Sequence, residues 1–412
     1  MDDFFKVSAA LMGLGALGTF LNMVCRWLLG RLLTPEQYGE METVTQVGGY
    51  VAVPLSALSV ILVREVAYAW GEKKPAKLQA LIWTLGRLVV AYAFLGMVLM
   101  LALSPFIRDW FHFNSIWPVV ATSTICMSGS ILVIISGTLQ GSHRFWQSGL
   151  MGACGPVAKI GFSWVLITAG FGATGAVAAL SAANIVMSIV GLFFMWRVLI
   201  PWHLGHPGRL RGYFRVFTSI ALTLWLATLF GGIDMFFVKR VFSSFEAGNY
   251  ARVSALVKLA LFVNGTLTIA LFPWVASEQA GGRETVHVLA KALAAGVCIA
   301  IGCALAFTAI PGFLLGLFYG DVTPTMIGWT RLMGWAMIPG SLFAILIQYF
   351  MARQEYAFLK WLTPAAVFYA LLLMVFRHSI PALIVAMGCG TFSIVVGLTV
   401  QSVLQSKRRM AL

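Results

Sequence analysis

The chain contains twelve runs of apolar residues, each long enough to cross a membrane. A helix needs roughly 20 residues to cross the ~30 Å hydrocarbon core of a bilayer. Only 10% of the 412 residues are charged, against roughly 25% in soluble domains. We therefore predict an all-α integral membrane protein with twelve transmembrane helices. Their spans lie near 8–30, 42–69, 78–104, 116–137, 148–169, 172–196, 213–238, 248–276, 286–310, 326–350, 359–376 and 380–404.

The distribution of Lys and Arg between the loops predicts the orientation. If the N-terminus is cytoplasmic, sixteen Lys and Arg residues fall in or beside the cytoplasmic loops and five fall on the opposite side. Cytoplasmic loops of membrane proteins carry such an excess. We therefore expect both termini to be cytoplasmic. The formal net charge of +14 follows largely from this bias, so it does not indicate nucleic-acid binding.

A short loop motif occurs twice in the sequence. RLLTPEQYGEM at 31–41 and RVFSSFEAGNY at 240–250 align with a shift of 209 residues, which places Arg31 on Arg240 and Gly39 on Gly248. Six spans return a chain to the same side of the membrane, so two such halves are parallel repeats. We predict an N-terminal six-helix lobe (1–200), a cytoplasmic linker (201–212) and a C-terminal six-helix lobe (213–412). The lobes should superimpose, with Gly39 on Gly248.

The loop motifs carry a family resemblance. L-x-P-E-x-Y-G follows the first span, I-D-x-x-x-V-K-R and E-A-G-x-Y flank the start of the eighth, and A-L-F-P follows. This pattern resembles bacterial polysaccharide flippases of the multidrug/oligosaccharidyl-lipid/polysaccharide exporter superfamily, which also contains lipid II flippases and multidrug extruders. The resemblance implies two lobes around a V-shaped central cavity, lined mainly by helices 1, 2, 7 and 8, that works by alternating access.

Charged residues within the spans are the main functional signal. Each costs about 2.5–3.5 kcal/mol at a helix centre on insertion scales, so such residues need partners or water. Cations exceed acids by four, which suits an anionic substrate. Cations near span ends have the alternative of extending their head groups to the membrane interface. The seven cations are Arg26, Arg64, Arg87, Lys159, Arg252, Lys258 and Arg331, and the three acids are Glu42, Glu65 and Asp234.

Polar residues in the first two spans recur at helical spacing. Thr19, Asn22 and Arg26 form one stripe, and Glu42 and Gln46 belong to another. In the eighth span, Ser254 and Lys258 share a face, and Arg252 points elsewhere. Hydrogen bonding between helices of one lobe is the alternative explanation. Because the resemblance places helices 1, 2, 7 and 8 around the cavity, we predict a set of substrate-binding residues there. They are Asn22, Arg26, Arg64, Arg252 and Lys258.

Two of the three acids, Glu42 and Asp234, have a different predicted role. With the 209-residue shift, Arg26 corresponds to Met235, the neighbour of Asp234. Glu42 corresponds to Ala251, the neighbour of Arg252. We hypothesise Arg26–Asp234 and Glu42–Arg252 contacts that close the outer side; ion pairs within each lobe are the alternative. Asp234 also resembles a sodium ligand of some lipid II flippases, but 359–376 contains no Asp, Glu or Asn to complete that site.

The function that this sequence predicts is transport rather than catalysis. We expect a flippase of the cytoplasmic membrane that moves an undecaprenyl-pyrophosphate-linked oligosaccharide for surface polysaccharide biosynthesis. A multidrug or cation antiporter, a lipid II flippase and a membrane-embedded glycan polymerase or ligase are the alternatives. The sequence contains no motif for a catalytic site, a metal or a cofactor. Expected partners are the lipid-linked oligosaccharide, membrane lipids, a polysaccharide polymerase and glycosyltransferases.

Overall fold

The computed structural model describes residues 2–72, 75–199, 214–280, 285–353 and 356–410, which are helical almost throughout. A kinked connection at Ile167–Phe171, where Gly170 has a φ of 92°, joins the sixth helix to the seventh, and a 3-10 turn, Tyr356–Phe358, precedes the fourteenth. The described helices before residue 200 are α1 (Asp2–Leu32), α2 (Pro35–Gly71), α3 (Pro75–Ala102), α4 (Ser104–Trp110), α5 (Trp117–Gly141), α6 (Phe145–Leu166) and α7 (Gly172–Leu199). Those after residue 213 are α8 (Phe214–Val241), α9 (Ser244–Ala280), α10 (Val286–Ala309), α11 (Pro311–Tyr319), α12 (Pro324–Ala336), α13 (Ile338–Ala352), α14 (Leu359–Val375) and α15 (Ile380–Met410).

Each predicted span coincides with helix. Within the described residues, nine segments are long and apolar enough to cross a membrane, and one of them, Phe145–Trp196, contains both α6 and α7. The helices α1 and α9, of 31 and 37 residues, complete the twelve. The tenth span is two helices, α12 and α13, that meet at Met337. The prediction of an all-α, twelve-helix membrane protein is confirmed.

The chain forms two compact units, Met1–Leu224 and Trp225–Leu412. The boundary between them falls inside α8. The linker predicted at 201–212 lies outside the described residues. The superposition of the two halves stays a prediction. The positions of the helices along the chain can, however, be compared with the 209-residue repeat.

The helix bounds repeat with the shift that the loops suggested. Adding 209 to the first residue of α2, residue 35, gives 244, which is the first residue of α9. The same shift carries the end of α1, residue 32, to the end of α8, residue 241. It also carries the end of α4, residue 110, to the end of α11, residue 319. The two short helices, which the sequence did not predict, therefore occupy equivalent places in the two halves.

The repeated loop is a capping box at the start of a 37-residue helix. In the first half the Thr34 hydroxyl accepts from the Gln37 amide at 3.4 Å, and the Thr34 amide donates to the Gln37 side chain at 3.3 Å. In the second half Ser243 and Glu246 make the same reciprocal bonds at 3.3 and 3.2 Å. A capping box satisfies two amide groups that the first helical turn leaves without partners. The similarity of the loops therefore has a local physical cause.

In the first unit, α5 is the central helix and packs against α2, α3 and α7. Helix α5 lies close to α2 because the residues of α5 at this contact are glycines, which have no side chain. A Cβ atom on Gly137 would lie 2.8 Å from Leu62, and one on Gly141 would lie 2.6 Å from Val66 and 2.7 Å from the Val63 carbonyl oxygen. Two glycines four residues apart let helix backbones approach closely in membranes.

Gly141→Ala is expected to destabilise the first unit by about 1–3 kcal/mol, the usual cost of overpacking a filled site. The added methyl group meets the backbone of α2, which cannot move aside as a flexible side chain can. Gly129→Ala, on the same helix, is the matched control because the nearest atom to its new Cβ is 3.7 Å away. Thermal unfolding of the purified protein in detergent measures both variants. Equal unfolding temperatures for the two would contradict this packing account.

In the second unit, α13 packs against α9, α10 and α15, and α14 packs against α15. An aromatic cluster fills the space beside α8. The Phe230 ring lies 4.9 Å from the Phe343 ring and 5.0 Å from the Tyr369 ring, centroid to centroid. All three side chains are buried. This cluster lies one helical turn from Asp234 and fixes the part of α8 that carries this acid.

Candidate functional site

The polar stripes of α1 and α2 meet through one carboxylate. Glu42 on α2 lies 3.7 Å from the guanidinium of Arg26 on α1 and accepts a 3.2 Å hydrogen bond from Gln46, one turn further along α2. The Arg26 side chain is 35% exposed and that of Glu42 is 13% exposed. The Arg26 side chain is therefore partly accessible while Glu42 contacts its guanidinium. We call Arg26, Glu42 and Gln46 the α1–α2 cluster.

Two further residues border the α1–α2 cluster. Lys159, on α6, lies within electrostatic range of both Arg26 and Glu42. Arg26 and Lys159 thus place two basic side chains near one acid. Asn22, one turn before Arg26, donates from its side-chain amide to the Gly18 carbonyl of its own helix at 3.0 Å. Asn22 is exposed, and residues four apart lie on the same face of a helix, so it shares a face with Arg26.

The second unit contains a fully buried acid. Asp234 on α8 is 0% exposed and accepts a 2.6 Å hydrogen bond from the Tyr250 hydroxyl. The Lys258 ammonium donates to both of its carboxylate oxygens, at 3.2 and 3.3 Å. The Lys258 side chain is 17% exposed. We call Asp234, Tyr250 and Lys258 the α8–α9 cluster.

Helical spacing explains why α9 supplies two partners to one acid. Tyr250, Ser254 and Lys258 stand at i, i+4 and i+8, so they line one face of the helix. That face lies against α8 at the level of Asp234. A buried carboxylate is stable only with a charged or hydrogen-bonding partner, and the α9 face provides both kinds. Sequence reasoning placed Ser254 and Lys258 on a common face but missed Tyr250, which precedes them by one turn.

Arg252 lies on a different face of α9. It is 2% exposed, and its guanidinium stacks over the Tyr319 ring of α11 at 5.4 Å from the centroid. The Tyr319 hydroxyl in turn donates to the Arg252 carbonyl oxygen at 2.7 Å. The contact that the structure shows for Arg252 thus joins α9 to the short helix α11. Its predicted contact with substrate stays a prediction.

Arg64 pairs with its sequence neighbour Glu65 at 3.0 Å near the end of α2. With the two clusters above, each of the three membrane-zone acids has a cation partner inside its own unit. The surplus of four cations remains after this pairing. The hypothesised gate contacts, Arg26 with Asp234 and Glu42 with Arg252, would exchange these partners and stay a prediction.

Within the described residues, no group of three or more His, Cys, Asp or Glu side chains is arranged to hold a metal ion. Asp234, the acid that resembles a sodium ligand, forms an ion pair with the Lys258 ammonium. Both clusters offer ion pairs and hydrogen bonds to a polar, charged group.

Comparison with solved structures shows the fold. An inward-facing multidrug resistance MATE family transporter of the MOP superfamily is 14% identical, with 94% of each chain covered and a TM-score of 0.77. A MOP superfamily transporter from Pyrococcus furiosus, described as having a binding pocket of reverse polarity that suggests a different function, is 13% identical, with 97% of this chain and 95% of that chain covered and a TM-score of 0.72. The lipid II flippase MurJ, in an inward closed conformation, is 15% identical, with 96% and 86% covered and a TM-score of 0.67.

Comparison with sequence families shows the family. No curated protein matches this chain. The family model described as polysaccharide biosynthesis protein matches residues 28–328, which is more than half of the chain and runs from the end of α1 into α12. The loop motifs predicted the same assignment from sequence. This chain belongs to the polysaccharide biosynthesis protein family, whose fold is that of the multidrug/oligosaccharidyl-lipid/polysaccharide exporter superfamily.

Proposed function

We propose that this protein flips an undecaprenyl-pyrophosphate-linked oligosaccharide across the cytoplasmic membrane for surface polysaccharide biosynthesis. The observation that carries the proposal is the surplus of cations in the membrane zone of a member of the polysaccharide biosynthesis protein family. A pyrophosphate that crosses a low-dielectric region needs cationic partners on its way. Arg26, with Lys159 beside it, and Lys258 are the cations that we assign to this role.

The proposed route follows from the superfamily resemblance. In that arrangement α1, α2, α8 and α9 border a V-shaped central cavity that opens to each side of the membrane in turn. The α1–α2 cluster and the α8–α9 cluster lie on these four helices. We place Asn22, Arg26, Arg64, Arg252 and Lys258 along the substrate path, and both termini in the cytoplasm. Glycosyltransferases that build the substrate and a polymerase that uses it are the proposed partners.

Export of cationic drugs is the main alternative, because multidrug transporters share the fold. A transporter of cations needs acids that its substrate can reach, since an unpaired charge is costly inside the membrane. Here each membrane-zone acid is paired with an Arg or Lys, and in each pair the cation is the more exposed partner. The Pyrococcus furiosus transporter is described as having a binding pocket of reverse polarity, so pocket polarity differs among proteins of this fold. We propose a basic pocket for this chain. We propose transport rather than glycan polymerisation or ligation.

Deletion of the gene distinguishes these functions in the cell. The flippase proposal predicts loss of surface polysaccharide and accumulation of the lipid-linked precursor on the cytoplasmic side. Resistance to cationic drugs and efflux of cationic dyes should be unchanged. Normal surface polysaccharide with increased drug sensitivity would establish the alternative.

The gate hypothesis predicts that the effects of substituting Arg26 and Asp234 on export are not additive. If Arg26 leaves Glu42 to contact Asp234 when the outer side closes, neutralising both residues should cost less than the sum of the single effects on export. A double-mutant cycle with Arg26→Gln and Asp234→Asn measures this coupling. Effects that add within error would show that each ion pair acts only inside its own unit.

A further inference from the structure

A groove on the first unit lies apart from both polar clusters. Helices α3 and α7 both pack against α5, and a cavity of about 600 Å³ lies in the groove between them. Its volume is within the range of about 300–1,000 Å³ that is usual for ligand pockets. Trp83, Phe94, Ile131, Ile134 and Leu192 contribute to its walls. We call this feature the α3–α5–α7 groove.

One cation interrupts this apolar surface. Arg87 on α3 lines the groove and is exposed. Of the described residues that line the groove, no other is charged or carries a hydroxyl or amide side chain. Within the described part of the chain, the Arg87 side chain makes no hydrogen bond and no ion pair. A cation in hydrocarbon needs an anionic or hydrogen-bonding partner, and this groove does not supply one.

The depth of Arg87 limits what that partner can be. It stands 12 residues after Pro75 and 15 before Ala102, the ends of α3. At a rise of 1.5 Å per residue these distances are about 18 and 22 Å, so Arg87 lies near the middle of the helix. Phospholipid phosphates lie at the membrane surface, about 15 Å from the midplane of the hydrocarbon core. The groove also lacks the polar groups that a sugar or pyrophosphate would need.

We propose that the α3–α5–α7 groove binds a transmembrane helix of a partner protein, and that an Asp or Glu near the centre of that helix pairs with Arg87. Apolar side chains of the partner helix fill the groove at i, i+3, i+4 and i+7 spacing, as in other helix-in-groove complexes. The carboxylate is held at the depth of the guanidinium. Such an ion pair sets the depth of the partner helix in the membrane and selects helices that carry a central acid.

A second copy of this chain does not fit the groove. The partner must bring an acid that is accessible at mid-membrane depth. Among the described residues, the three membrane-zone acids are Glu42, Glu65 and Asp234, and each is paired inside its own unit. The partner is therefore a different membrane protein, and this inference does not depend on the substrate that the transporter carries.

Synthetic helices test the proposal without knowledge of the natural partner. The full-length protein is reconstituted in nanodiscs of neutral phosphatidylcholine with a labelled Leu/Ala transmembrane peptide that carries one central Asp or one central Leu. Energy transfer measures binding of each peptide. We expect the Asp peptide to bind about tenfold more tightly, which corresponds to about 1.4 kcal/mol. Arg87→Leu should abolish this preference, and Arg87→Lys should keep most of it.

A relocated charge separates the groove from simple electrostatic attraction. Leu88, the next residue on α3, is 44% exposed and does not line the groove. The double variant Arg87→Leu with Leu88→Arg moves the cation out of the groove at nearly the same depth and should not restore the preference. Equal binding of the two peptides to the unchanged protein would overturn the proposal, as would restored preference in the relocated variant. Retention of phosphatidylglycerol through Arg87 without any preference among peptides would assign the groove to a lipid and overturn it also.

Discussion

Asp234→Ala should destabilise the second unit by about 3 kcal/mol, at the lower end of the 3–5 kcal/mol that follows loss of one partner from a buried ion pair. The change leaves the Lys258 ammonium without the carboxylate that now accepts its hydrogen bonds at 3.2 and 3.3 Å. The 17% exposure of the Lys258 side chain allows some contact with water, which moderates the loss. Thermal and chemical unfolding in detergent measure the effect.

A second substitution tests the cause of this loss. Removing both charges, with Asp234→Ala and Lys258→Met, should recover most of the stability, because no buried charge is then left without a partner. The matched control is Asp109→Ala, which breaks the exposed Arg108–Asp109 pair and should cost less than about 1 kcal/mol. If the double variant is less stable than Asp234→Ala alone, the ion pair is not what stabilises this site.

Arg26→Gln should reduce polysaccharide export about tenfold or more while the amount of protein in the membrane stays normal. The substitution keeps a hydrogen-bonding side chain but removes the charge that we assign to the pyrophosphate, and about 1.4 kcal/mol of lost stabilisation corresponds to tenfold in rate. Arg26→Lys keeps a point charge without the two-pronged guanidinium, so an intermediate loss is expected. Surface polysaccharide per cell, normalised to protein level, is the measurement.

Arg108→Gln is the matched control for this prediction. Arg108 also pairs with an acid, but on the exposed helix α4, with 44% of its side chain accessible. Its replacement should leave export unchanged. If export survives the combined loss of charge at Arg26, Arg64, Arg252 and Lys258 in a correctly folded protein, the basic-path mechanism is wrong even though the fold and family are right.

Hydropathy and loop chemistry predicted the architecture because both act locally. Apolar runs of more than about 20 residues can satisfy their backbone groups in a bilayer only as helices. Loop positions such as Thr34 and Ser243 fix the starts of α2 and α9 through their own hydrogen bonds. The short helices α4 and α11 were missed because each lies at the end of an apolar run, where composition alone does not reveal the break before Ser104 or Pro311.

The site was predictable only up to the level of helix faces. Spacing placed Asn22 with Arg26 and Ser254 with Lys258, and these faces exist in the structure. It did not reveal that Tyr250 and Lys258 converge on Asp234, because pairing depends on the rotation and height of one helix against another. The packing of the helices determines this rotation and height. It also determines that Arg252, on another face of α9, stacks on Tyr319 and does not join the α8–α9 cluster.

The central claim is that this transporter moves a lipid-linked anion. The most direct test is reconstitution of the purified protein in liposomes that carry an undecaprenyl-pyrophosphate-linked oligosaccharide in the inner leaflet. Exposure of the sugar to an enzyme added outside is followed over time, with a cationic dye assayed in parallel. The account predicts protein-dependent appearance of the oligosaccharide outside, slowed by Arg26→Gln and unchanged by Arg108→Gln, with no dye transport. Transport of the dye without movement of the oligosaccharide would contradict it.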